Sequence, residues 1–217
     1  MLGQSRYKPA ATFYYFAVIV LKNLLASCYV LIYRYIMKIN SFGVVDTAIQ
    51  RPCTYFDERP NDEGISLLVI HNISLPAGQF ATPYVDDLFM GCIDHQAHPS
   101  FSDLQGLRVS AHCFIKRCGE IVQYVPFSKR AWHAGRSEFL GRSQCNDFSI
   151  GIELEGTDTT PYTQNQYNAL QSLTNALTNK YSAITQERIV GHCDIAPGRK
   201  SDPGESFDWQ FYFAGLF

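Results

Sequence analysis

SLLVIH (66–71) is an unbroken aliphatic run closed by a histidine and bounded by Gly64 and the turn-prone SLPAG, the pattern of a strand covered on both faces. FSIGIELEG (148–156) alternates instead. Phe148, Ile150, Ile152 and Leu154 fall on one side of an extended chain, and Ser149, Gly151, Glu153 and Glu155 on the other. Between these two segments, AHCFIK (111–116) and EIVQYV (120–125), joined through RCG and stopped by Pro126, predict a β-hairpin. Thr163 and Gln166 then make the T-x-x-Q signature of a helix start. Tyr167, Leu170, Leu173, Leu177 and Tyr181 follow at three-to-four spacing, which predicts an amphipathic helix. RIVGH (188–192) predicts a short strand with His192 at its exit, and Phe80 to Arg108 reads as a loop-rich excursion with some helix around Pro83 to Met90. No repeat or low-complexity linker interrupts the series, so the pattern predicts an α/β domain with a central sheet.

The front of the chain has a different pattern. Residues 11–37 are almost continuously apolar, broken by Lys22, Asn23 and Arg34. The run is long enough to span a bilayer, at a cost of about 2.5–3.5 kcal/mol for a lysine near its middle. It lacks a small-residue cleavage site after a compact apolar region. Two expectations follow for residues 1–36, an apolar N-terminal extension: a signal anchor, or residues added by a mis-assigned start, with the protein beginning at Met37. The second is preferred, because KINSFGVVDTAIQRP after Met37 is an ordinary soluble beginning. Residues 37–217 then form one domain, as suits a chain of 217 residues.

Charge and cysteine usage narrow the class. A formal net charge of -2 leaves no basic stripe, so nucleic acid is not an expected partner. Seven cysteines at irregular spacing, several inside apolar runs, do not make a disulfide framework and fit a reducing compartment. Aromatic residues are 14% of the chain, enough for a large core and a groove that takes a ring-bearing ligand.

The chemistry gathers at strand ends. GHCDIAPGRKSDPG (191–204) is too broken by Pro and Gly for a regular element, yet it collects His192, Cys193, Asp194, Lys200 and Asp202. His71 and His192 sit at two strand exits, and a catalytic zinc wants three protein ligands with one position open. Cys193, Asp194 and Asp202 are candidates for the third. Cys193 is awkward beside His192 on an extended chain, whereas Asp202 can fold back after Pro197 and Gly198, so the expected set is His71, His192 and Asp202. A competing structural zinc site would use His112, Cys113, Cys118 and His133, but no second Cys/His pair at finger-like spacing accompanies it. His95 and His98 read as exposed polar residues. Glu153, on the polar side of its strand, is a candidate general base beside a metal, and Lys200 a cation for an oxyanion. Without the metal pair they would read as surface residues.

LLVIHNIS (67–74), RVSAHCFIKRCGEIVQYVPFSKRAWHAG (108–135), NDFSIGIELEGTD (146–158) and GHCDIAPGRKSDPG (191–204) resemble, in the same order, the zinc-dependent N-acetylmuramoyl-L-alanine amidases of type 2. The similarity is greatest to the cytosolic branch that acts on 1,6-anhydro-muramyl peptides in peptidoglycan recycling. The resemblance implies a mixed β-sheet flanked by helices, as in peptidoglycan-recognition proteins. It implies Zn2+ on His71, His192 and Asp202, with Glu153 and Lys200 catalytic. Asn72, Arg108 and Trp132 would line the substrate cleft with His133 close by, although on pattern alone Trp132 reads as a core residue. Gln144 departs from the family, which carries a basic residue there. The expected protein is a cytoplasmic, monomeric hydrolase of muramyl peptides that meets a membrane only through residues 1–36. The alternatives are an amidase of intact peptidoglycan outside the cytoplasm and a binding module that has lost its chemistry, although such modules lack a ligand and all three are present here.

Overall fold

A computed structural model describes residues 37–60 and 64–216. Apart from Met37, the apolar segment read above as an anchor or a mis-assigned start lies outside them. In chain order the elements are β1 (Ile49–Gln50), β2 (Phe56–Glu58), β3 (Leu67–Ile73), α1 (Tyr84–Met90), β4 (Cys113–Ile115), β5 (Ile121–Gln123), β6 (Lys129–Ala131), β7 (Glu138–Phe139), β8 (Arg142–Ser143), β9 (Ser149–Glu155), α2 (Gln164–Lys180), β10 (Ile189–Gly191), α3 (His192–Ile195) and α4 (Trp209–Ala214). Six strands make one sheet in the order β1-β5-β4-β9-β3-β10. Its neighbours are parallel except for the hairpin β4–β5. The mixed sheet flanked by helices is the expected fold.

β3 and β9 are the spine of this sheet. They pair in register along their whole length, from Leu67 opposite Ser149 to Ile73 opposite Glu155. In a parallel pair, residues at one level point to the same face, so His71 and Glu153 stand side by side because of this register. Two details depart from the sequence pattern. β3 runs two residues beyond His71, which therefore lies inside the strand. The polar side of β9 is not exposed: all seven residues are buried, Glu153 and Glu155 included. Period-two alternation marks two different faces, but in a strand between two neighbours both faces can be covered. Glu155 is satisfied there by backbone, accepting from the Ala81 and Arg117 N–H groups.

The long helix follows its capping signature. The Thr163 hydroxyl accepts from the Gln166 N–H and the Gln166 side chain accepts from the Thr163 N–H, which satisfies two donors left open at a helix start. Gln166 also donates to the carbonyls of Ile115 and Glu155, tying the start of α2 to the ends of β4 and β9. Tyr167, Leu170, Leu173 and Leu177 pack in one core with Leu68, Ile70, Ile150 and Ile152, each worth at most about 1.5–3 kcal/mol of burial. α1 ends at Gly91, whose φ of 71° suits glycine.

A cation missed in the sequence holds the other side of the sheet. Arg59 donates to the carbonyls of Phe127, Asn146, Asp147 and Ser149, gathering two separate segments around one guanidinium. Burial lowers its pKa to about 10, so it stays charged at neutral pH.

Candidate metal centre and cleft

Three side chains converge from β3, from α3 and from the loop after it. His71 Nδ1 is 3.0 Å from His192 Nδ1 and 3.0 Å from Asp202 Oδ2, and His192 Nδ1 is 3.1 Å from the same oxygen. The parallel pairing of β10 with β3 sets Gly191 opposite Ile70, so the next residue, His192, emerges level with His71. His192 is not the last residue of a strand, as the pattern predicted, but the first of a short helix. The Asp194 carboxylate accepts from the Gly191 N–H at 2.7 Å and starts that helix. Asp202 returns through the Cys193 N–H, which donates to its carbonyl at 3.0 Å.

Two nitrogens and one oxygen this close suit one divalent ion with a position left open, the donor set expected of a catalytic zinc. Among the described residues this is the one group of three His, Cys, Asp or Glu with that proximity. Protonation agrees with the fit. Burial lowers the His71 pKa to about 4, against the pull of Asp202, so the imidazole is neutral and its lone pair free. Burial pushes Asp202 up, but the close His192 and His71 rings outweigh it and hold the carboxyl well below the usual range.

Glu153 stands at the centre's edge. It is 9% exposed, and its Oε2 is the one buried side-chain polar atom among the described residues without a hydrogen-bond partner. Such an orphan is costly for structure alone and marks a functional position. Burial raises its pKa well above the ordinary value; the Asp202 charge adds to this and Lys200 opposes it.

Beside these three side chains runs a cleft of about 450 Å³, lined among others by Asn72, Ser74, Asp158, Lys200 and Asp202. Asn72 is held by donating to Asp158 at 2.8 Å and to the Pro203 carbonyl at 3.1 Å. Lys200 is exposed on the rim. Its neighbour Arg199 turns back, donating to the carbonyls of Ala134 and Arg136. Arg108 is exposed and lies outside this lining, as do Trp132, Gln144 and His133.

Trp132 is half-buried and not a core residue. Its indole N–H donates to Asp57 at 3.2 Å and its ring stacks on Tyr55. His133 sits behind His71, its Nδ1 2.9 Å from His71 Nε2 and its Nε2 3.1 Å from the Ser149 hydroxyl. The rival zinc site is not assembled. Cys118 is exposed, Cys113 is buried in β4, and His112 is occupied by the Gly151 N–H and the Lys129 carbonyl. His95 and His98 are half-buried and not exposed; His98 accepts from the Ser100 N–H at the start of a short helical turn. Ser149, Gly151 and Arg199 were missed. An isolated glycine inside a strand of branched residues signals close approach of another group, and Gly151 carried that signal. A Cβ there would lie 2.3–2.6 Å from three atoms of the His133 ring.

A family described as N-acetylmuramoyl-L-alanine amidase matches residues 61–205. The 1,6-anhydro-N-acetylmuramyl-L-alanine amidase AmpD of Citrobacter freundii is 63% identical over 167 residues, 77% of this chain and 89% of that one. The amidase AmiD of Escherichia coli is 34% identical over 148 residues, 61% of this chain and 53% of its own length. Among solved structures, a selenomethionine AmpD derivative superposes with a TM-score of 0.80 at 58% identity, covering 82% of this chain and 98% of that one. AmpDh3 of Pseudomonas aeruginosa in complex with an anhydromuramic pentapeptide gives 0.56 at 28% identity, over 73% of this chain and 63% of that one. The chain belongs to the N-acetylmuramoyl-L-alanine amidase family.

Proposed function

We propose that the protein is a zinc-dependent amidase that hydrolyses the bond between the lactyl group of 1,6-anhydro-N-acetylmuramic acid and L-alanine, in the recycling of cell-wall peptides. The observation that carries this reading is the partnerless Glu153 carboxylate beside His71, within reach of the three-ligand cluster. Supporting it, the C. freundii relative is named for the anhydro substrate, and a solved relative holds an anhydromuramic pentapeptide.

His71, His192 and Asp202 would hold the zinc. Bound there, it would supply a Lewis acid for the amide carbonyl and lower the pKa of a water towards about 7. Glu153 takes the proton of the attacking water and hands it to the departing alanine nitrogen, a role that suits a carboxyl whose pKa burial has raised. Lys200 faces the oxygen on which negative charge develops. Asn72 fixes the cleft wall through Asp158, and Arg108 and Trp132 contact more distant parts of the substrate. Gln144 offers the peptide carboxylate a neutral partner. Every group in this scheme comes from one chain, so we take the active unit to be a monomer. Seven cysteines at irregular spacing, several in apolar runs, support a reducing compartment, and we take it to be the cytoplasm.

The test is metal analysis beside a muramyl-peptide cleavage assay. Wild type should bind one zinc and cleave; Glu153→Ala should keep the metal and lose 10²–10⁴-fold in turnover; His192→Ala should lose both. Full activity in Glu153→Ala would remove the assigned base, and full activity in His192→Ala would remove the metal centre.

A further inference from the structure

We propose that His133 is a positioning residue for the metal ligand His71, fixing its ring and tautomer, with Ser149 fixing His133 in turn. The inference rests on the reading of His71 as a ligand. His71 presents Nδ1 to His192 and Asp202, so a cation among them takes the Nδ1 lone pair. A neutral imidazole has one N–H, which must then sit on Nε2. That N–H donates to His133 Nδ1 at 2.9 Å. His133 therefore carries its own proton on Nε2, which donates to the Ser149 hydroxyl at 3.1 Å. One choice of metal-facing nitrogen thus sets both tautomers along a line from the cluster to β9.

The surroundings are built for this line. His71 is 1% exposed and Ser149 fully buried, so both ends of the line are closed to water, with the half-buried His133 between them. The His133 ring occupies space that exists only because residue 151 has no Cβ. The backbone of the same segment is pinned, the N–H groups of His133 and Ala134 both donating to the Asn146 side-chain oxygen at 3.1 and 2.8 Å. The next residue serves the second histidine: the Ala134 carbonyl lies 3.1 Å from His192 Nε2. Two consecutive residues, held by one asparagine, thereby orient the outer nitrogens of both histidines, the arrangement by which outer contacts tune metal affinity.

The experiment is competition titration of Zn2+ against a chromophoric chelator, with thermal melts of the chelated proteins as a control for folding. His133→Ala should weaken zinc binding by about 10–100-fold. His133→Asn, whose Oδ1 can accept the same bond in place of Nδ1, should recover most of that loss, and Ser149→Ala should show a smaller one. Unchanged zinc affinity in His133→Ala, or equal losses in the Ala and Asn variants, would overturn the proposal while leaving the metal centre intact. No zinc binding by wild type would overturn the metal-centre reading, and this inference with it.

Discussion

His112 gives the molecule a calculable sensitivity to acid. The ring is fully buried beneath the cluster. Its Nδ1 accepts from the Gly151 N–H at 3.0 Å, and its Nε2–H donates to the Lys129 carbonyl at 3.1 Å. A second proton would have to go onto Nδ1, facing an N–H head-on, with the Arg59 guanidinium 3.1 Å from the other ring nitrogen. Burial first, and Arg59 second, lower its pKa to about 3. Unfolded, the same histidine titrates near about 6.5. The unfolded chain therefore binds the extra proton first as pH falls. The stabilisation is fully present above about pH 6.5 and is lost towards about pH 3, at about 1.4 kcal/mol per pH unit. By about pH 5 the loss is about 2 kcal/mol, a large share of a typical domain stability of about 5–15 kcal/mol. The comparison is His112→Asn, whose side-chain oxygen can still accept from Gly151 but does not titrate. Urea unfolding of both proteins, in chelator, from about pH 7.5 to about pH 5 should give curves of stability against pH that approach one another by about 1.4 kcal/mol per unit below about pH 6.5. His71 and His133 add slope to both proteins equally and drop out of the difference. Parallel curves would refute the reasoning, since they would mean that His112 binds protons alike in both states.

Two further substitutions test the supports of the site. Arg59→Ala removes the guanidinium that serves four carbonyls from two segments, and leaving such acceptors unmet should cost at least about 3 kcal/mol, read as a fall in midpoint in urea unfolding. Gly204→Ala introduces a Cβ 2.1 Å from the Asp158 Cα at a φ of 82°; left-handed strain of about 1–2 kcal/mol plus the backbone overlap should lower the melting temperature by several degrees. Because Asp158 holds Asn72, the surviving fraction should also show a raised KM.

Much of this was written in local pattern. The capping pair Thr163 and Gln166, the helical spacing behind it and the aliphatic run before His71 each specify their element through neighbours a few residues away, and they were legible for that reason. His71, His192 and Asp202 were legible because turn-rich segments at strand ends rarely collect such groups without use. What escaped depends on contacts across the chain. Glu153 was picked out as a base, but its burial was not legible, because alternation separates two faces without saying what covers either. Arg59, in a run of charged and turn-forming residues, carried no mark of burial; the carbonyls it serves lie 68 to 90 residues away. His192 looked like a strand exit because the helix it begins is four residues long and is started by Asp194 alone. The strands of two or three residues owe their shape to pairing, not to their own composition.

The in-register pairing of β3 with β9 divides the active groups by how freely they can travel. His71 and Glu153 are adjacent rungs of one ladder, and neither can shift without unzipping the middle of the sheet. Lys200 and Asp202 belong to a loop outside the sheet, held by separate hydrogen bonds such as those from Cys193 N–H to the Asp202 carbonyl and from Asn72 and Tyr162 to the Pro203 carbonyl. Any retuning of this framework, by selection or by design, towards another ion or a bulkier peptide therefore has its room in that loop and in the walls it faces, while the ladder behind them stays as a fixed reference.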